Sequence, residues 1–77
     1  MNPRVVGVRV AGDGRLLLDF SNGEQRVFSV APYLEHPVYR PLKDAAVFGN
    51  VSAFNGTVCW GDDGEIDFDP DTLYLES

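Results

Sequence analysis

The sequence predicts a small α+β domain of antiparallel hairpins in the order β-β-β-α-β-β-α. Three observations carry this. The dipeptide Asn-Gly occurs twice between apolar runs, at Asn22-Gly23 and Asn55-Gly56, and it favours tight hairpin turns whose twist matches the flanking strands. The N-terminal third alternates apolar and polar residues with the period of a half-buried strand. An Asp-Pro-Asp start at Asp69-Pro70-Asp71 opens a closing helix, with Asp69 as N-cap, Pro70 in the first helical position and Asp71 in the first turn.

In chain order, Pro3 to Val10 places Val6, Val8 and Val10 on one face and Val5, Gly7 and Arg9 on the other. Ala11-Gly12-Asp13-Gly14 is a turn, its glycines supplying positive φ. Arg15 to Phe20 forms the second strand, with Leu16, Leu18 and Phe20 inward, and Gln25 to Val30 the third, with Phe28 and Val30 inward. A two-residue loop at Asn22-Gly23 pairs Asp19 with Arg26, whereas a three-residue loop sets Leu18 beside Phe28. Sequence leaves that register open.

Ser29 is placed to N-cap a short turn through Pro32 and Glu35, and His36, standing before Pro37, ends it in extended geometry. Pro41 opens a second helix over Leu42 to Phe48, with Leu42, Ala45 and Phe48 inward and Gly49 or Asn50 closing it in a left-handed conformation. Val51 to Phe54 and Thr57 to Trp60 form the second hairpin, pairing Ala53 with Val58 and Val51 with Trp60. Gly61 to Gly64 is a polar loop, Glu65 to Phe68 a brief strand extension, and Leu73 with Tyr74 anchors the last helix.

Seventy-seven residues make one domain, 1–77, with a thin core. Apolar residues form 44% of the chain and aromatics 12%, as in a packed globule rather than a disordered one. One small surface site fits such a chain and a deep substrate cleft does not. The single cysteine, Cys59, excludes an intrachain disulfide and suits a reducing cytoplasm. No apolar run approaches the ~20 residues that span a bilayer, and MNPRVVGVRV is not a signal peptide. The charge of −6 is concentrated: residues 61–77 hold seven acids and no base, while residues 1–60 are nearly balanced. That excludes the basic footprint of direct nucleic-acid binding. It matches a basic protein partner, or serves solubility alone.

The residues resemble the bacterial family called domain of unknown function 2442 over nearly the whole chain. The matching positions are Phe20, Asn22, Gly23 and Glu24, then Phe28 and Val30, and Pro41-Leu42-Lys43-Asp44 with Phe48 and Val51. Trp60, Glu65, Ile66 and Asp67 follow, and Pro70-Asp71-Thr72-Leu73-Tyr74 completes the set. The resemblance implies a small two-layer domain and brings no known activity. Similar proteins that carry a helix-turn-helix domain, or that belong to two-gene pairs of toxin–antitoxin type, imply regulation or interaction. Where the family has aspartate after Phe28, this chain has Ser29. Both cap helices, which points to a capping role.

Chemistry-bearing residues have bland readings beside their functional ones. Aligned on Gly64, the acidic run puts Cys59, Gly61 and Asp63 at the first, third and fifth positions of a calcium loop and Pro70 at the twelfth. Most of the ligands an EF-hand needs are missing. His36 has no nucleophilic partner in sequence, Cys59 reads as a packing residue, and Trp60 as core. Tyr33, Tyr39 and Tyr74 suit an interface, and with Asp62 and Asp63 they are the expected partner contacts. The expectation is a cytoplasmic, non-enzymatic interaction module with no catalytic residue, metal or cofactor. Its partner is a basic protein or a second copy of the chain. The alternative is a small-ligand or divalent-cation domain using Asp62 to Asp71.

Overall fold

The computed structural model describes residues 2–61 and 65–77. Two three-stranded antiparallel sheets, with short helical segments between and after them, make the expected α+β arrangement. The first sheet runs β1 (Val5–Gly12), β2 (Arg15–Phe20), β3 (Gln25–Ser29) in sequence order. The alternation of β2 is kept: Leu16, Leu18 and Phe20 are buried, with Leu16 opposite the equally buried Phe28.

β1 departs from its alternation. Val5 pairs with Phe20 but Gly7 with Asp19, so Val6 is an extra residue on this strand. One inserted residue reverses the faces on either side of it. Val5 is therefore 3% exposed and Val6 64%. Val6 does not share a face with Val8 and Val10, and of the expected inward valines Val8 is half-buried while Val10, near the strand end, is 46% exposed. Gly7 suits the bulge, because a Cβ there would lie 3.0 Å from Oδ2 of Asp19.

The first hairpin takes the three-residue loop of the two alternatives, but that loop sets Leu18 opposite Arg26 rather than Phe28. Asp19 faces Gln25, Leu18 faces Arg26 and Leu16 faces Phe28. The loop is Ser21-Asn22-Gly23, closed by Phe20 N–H donating to Glu24 O at 2.8 Å. Asn22 Oδ1 accepts from Glu24 N–H at 3.1 Å, and Gly23 takes φ 89°. This side-chain turn makes the loop one residue longer than the plain Asn-Gly turn.

Ser29 caps nothing. It ends β3, and the following 3₁₀ turn, Ala31–Tyr33, has Val30 in the capping position with no side-chain bond. Val30 is apolar and fully buried, so the chain turns one residue later than capping chemistry suggested. His36 is extended (φ −75°, ψ 135°), as its place before proline requires. The expected Leu42–Phe48 helix divides into a 3₁₀ segment, Pro37–Lys43, and one α turn, α1 (Ala45–Phe48). Asp44 separates them in extended geometry and caps α1, its side chain accepting from Ala46 N–H at 2.9 Å. An aspartate free to cap competes with helix continuation. Leu42 and Phe48 are buried as expected and Ala45 is exposed. Gly49 closes α1 in right-handed geometry (φ −67°) rather than left-handed, and Asn50 has no positive φ either.

The second sheet is β4 (Ser52–Phe54), β5 (Thr57–Trp60) and β6 (Ile66–Asp67). Ala53 pairs with Val58 across Asn55 (φ 54°) and Gly56 (φ 82°), the two-residue turn the sequence predicts. The final helix α2 (Pro70–Leu75) starts as expected, with Asp69 accepting from Asp71 N–H at 3.3 Å. Side chains from both sheets and from α2 meet in one core around Trp60, Phe28, Phe68 and Leu73. Trp60 is 1% exposed and donates its indole N–H to Phe48 O at 2.9 Å. That bond ties β5 to α1.

Candidate functional site

Two 3₁₀ segments on either side of the extended His36 bend the chain back so that Tyr33 and Tyr39 meet edge to face, their ring centroids 6.1 Å apart. His36 sits exposed between them, 6.5 Å from each ring. Their common floor is the buried Phe68. Tyr39 stacks on it at 4.6 Å with an interplanar angle of 3°, and Tyr33 meets it edge-on at 5.2 Å. These rings, with Val38, Asp69 and Thr72, enclose a hollow of about 300 Å³.

The hydroxyls are spent on the C-terminal segment. Tyr33 donates to Glu76 Oε2 at 2.9 Å, and Tyr39 to the backbone carbonyl of Asp67 at 3.1 Å. Burial, and then the Glu76 carboxylate, pushes the Tyr33 hydroxyl above its ordinary value of 10.0. Burial, and then the charge of Asp67, does the same for Tyr39. Both are neutral hydrogen-bond donors at pH 7, which suits them to hold shape rather than to transfer protons. Asp67, Asp69 and Glu76 are exposed beside the aromatic surface, so an apolar patch is rimmed with negative charge. Cations are attracted to such ring faces.

Tyr74 lies in a separate cluster. Its hydroxyl donates to Glu24 Oε1 at 3.0 Å, and the Arg26 guanidinium stands 4.1 Å from its ring centre. Arg26 bonds Glu24 at 2.7 Å and the Tyr74 carbonyl at 3.1 Å. The Arg26 bond, then those from Tyr74 and Asn22, holds the Glu24 carboxyl below its ordinary 4.5. The arrangement fastens α2 to the first hairpin. Of the expected contacts, then, the fold brings Tyr33 and Tyr39 together and sets Tyr74 apart. Asp62 and Asp63 lie outside the described residues.

Sequence reasoning did not anticipate His36, Val38 or Phe68 in this hollow. The signal for Phe68 is its place between Asp67 and Asp69, an apolar ring delivered inward between two solvated carboxylates. Cys59 is buried in β5 with its sulfur 3.6 Å from Ser52 Oγ, whereas His36 is exposed on a loop. Among the described residues no group of three or more His, Cys, Asp or Glu side chains is placed to hold a metal ion. No described helix is long and apolar enough to cross a membrane. A second, larger hollow of about 630 Å³ lies between the β1–β2 turn and α1, walled by Val10, Leu34, Leu42 and Phe48 with Asp13 and Lys43 at the same hollow.

No curated protein and no solved structure matches this chain. The family model described as protein of unknown function (DUF2442) matches residues 5–77, essentially the whole chain. The buried positions Phe20, Phe28, Phe48, Trp60 and Leu73 all fall inside that span, and the chain belongs to the DUF2442 family.

Proposed function

We propose that this protein is a non-enzymatic, cytoplasmic interaction module that captures a basic segment of a protein partner at the Tyr33–Tyr39 hollow. The observation that carries this is the pairing of an aromatic hollow with the exposed carboxylates of Asp67, Asp69 and Glu76. An arginine or lysine side chain presents both an apolar stem and a charged head to such a surface. His36 and Val38, which is 57% exposed, form its outer lip. A small acidic partner of a two-gene regulatory unit, antitoxin-like in role, fits this chemistry.

The test is affinity capture of the tagged chain from its own cells at low salt, with partners identified by mass spectrometry. We expect one stoichiometric basic protein, bound less tightly as salt rises to physiological strength. Val38→Arg, which places a cation on the lip, should abolish capture without unfolding the chain. Salt-independent binding, or capture unchanged by Val38→Arg, would refute the proposal.

A further inference from the structure

The two edges of the first sheet are treated differently. β1 carries register shifts at Val5/Gly7 and Val10/Gly12. It also has the second hairpin against it, with Val5 N–H donating to Gly56 O at 2.9 Å. Bulges and covering elements are how proteins protect an edge. β3 has neither, and its residues Gln25–Ser29 include no proline, lysine or acid.

The hydrogen-bond phase fixes which groups face outward. Phe20 N–H bonds Glu24 O at one end of the β2–β3 ladder, and Val30 N–H bonds Gly14 O at the other. In an antiparallel pair, bonded and non-bonded partners alternate. Arg26 and Phe28 therefore bond inward to Leu18 and Leu16, while the peptide groups of Gln25, Val27 and Ser29 point away from β2. No bond to these outward groups is made by any described residue. All three residues are exposed, Val27 by 49%.

We infer that β3 is the site at which two copies of this chain join, antiparallel about a two-fold axis through Val27, so that the two first sheets become one. Val27 is central among the three outward residues. A two-fold there sets Val27 against Val27 and Gln25 against Ser29 of the second copy, and every outward N–H finds a carbonyl. The side chains agree with the backbone. On the outer face the cross-strand row Arg9–Leu17–Val27 continues into its own copy as an apolar pairing. The row Asp19–Gln25 continues through Ser29 of the second copy to its Arg15, so its ends carry opposite charge. The one charge within β3, Arg26, is already matched by Glu24 at 2.7 Å. In a chain of net charge −6, this strand is where two copies approach without adding like charge. The inference is independent of the heterologous partner proposed above, because the Tyr33–Tyr39 hollow shares no residue with β3.

Sedimentation velocity on the full chain over a concentration series tests it, alongside amide hydrogen exchange. We expect a monomer–dimer equilibrium, with the Gln25, Val27 and Ser29 amides gaining protection as dimer accumulates. Val27→Lys and Val27→Glu, at an exposed position, should each give a folded monomer by core tryptophan emission. Mixing the two should restore a one-to-one dimer, because opposite charges then meet at the axis. A chain that stays monomeric at every concentration overturns the proposal, as does a dimer indifferent to Val27→Lys, or folded variants that fail to pair when mixed. So does a monomer whose β3 amides are protected only by an added extended peptide.

Discussion

The two Asn-Gly turns carry the same dipeptide and fold differently. At Asn55-Gly56 both residues take positive φ and the strands pair without interruption up to Phe54 and Thr57. At Asn22-Gly23 only the glycine does, and the asparagine side chain folds over to bond the Glu24 amide. What surrounds each turn decides the difference. Ser21, before the first, exchanges bonds with Arg4: Ser21 N–H donates to Arg4 O at 2.7 Å, and Arg4 N–H to Ser21 Oγ at 3.1 Å. Glu24, after it, is held by Arg26 and Tyr74. Local propensity proposes a turn, and the contacts on its flanks select the loop length.

The largest effect is expected where the second hairpin meets the core. Trp60→Ala should cost about 3–5 kcal/mol in denaturant unfolding, because it removes a fully buried ring and leaves the Phe48 carbonyl without its donor. Trp60→Phe keeps one aromatic ring and loses that bond together with part of the filled volume, so a smaller loss, about 1–3 kcal/mol, is expected. Equal losses from the two variants would show that the hydrogen bond, not the packing, dominates.

A sharper test exchanges the turn glycines. Both Gly23 and Gly56 have positive φ, so alanine strains either by about 1–2 kcal/mol. At Gly56 the new Cβ would also sit 2.8 Å from Cδ of Arg4, while at Gly23 nothing lies within 4 Å. Gly56→Ala should therefore be the worse of the pair, and Arg4→Ala in the same chain should bring the two closer. If they are equal from the start, Arg4 yields freely and the turns are energetically alike.

The smallest effect is a pH dependence confined to the first turn. Glu24 has its pKa depressed in the fold, so its contribution is complete above its ordinary value of 4.5 and disappears as pH falls through the lower folded value. Protection factors of the α2 amides, which divide out the intrinsic pH dependence of exchange, should fall in that acid range, and Glu24→Gln should remove that fall. A profile unchanged by Glu24→Gln would place the acid sensitivity elsewhere. At the alkaline end, Tyr33 and Tyr39 have raised values. Their contribution is therefore full below pH 10.0 and lost as pH climbs through the folded values.

These contrasts explain what the sequence could disclose. Strand β2 and the second hairpin were legible because one local rule acts alone: strict alternation in the first, Asn-Gly between apolar runs in the second. Helix α2 was legible because Asp69, Pro70 and Asp71 all favour the same start. β1 was misread because a bulge at Val6 leaves no mark in composition. The Leu42–Phe48 helix was misread because Asp44 can extend or cap, and only the seating of Leu42 and Phe48 selects capping. The hollow was half legible. Tyrosines at positions 33 and 39 were suggestive, but their floor, Phe68, comes from a segment about thirty residues later. No periodicity connects them.

The indole–carbonyl bond between Trp60 and Phe48 has an optical consequence. This chain holds one tryptophan, buried against a phenylalanine and hydrogen-bonded to a helix carbonyl. Its emission therefore reports on a single environment, with no second fluorophore of its kind to average over. A red shift would mark the moment α1 leaves β5. Separation of the two first sheets at β3 would leave the colour unchanged, so dissociation and unfolding of this protein can be told apart in one cuvette, without a label.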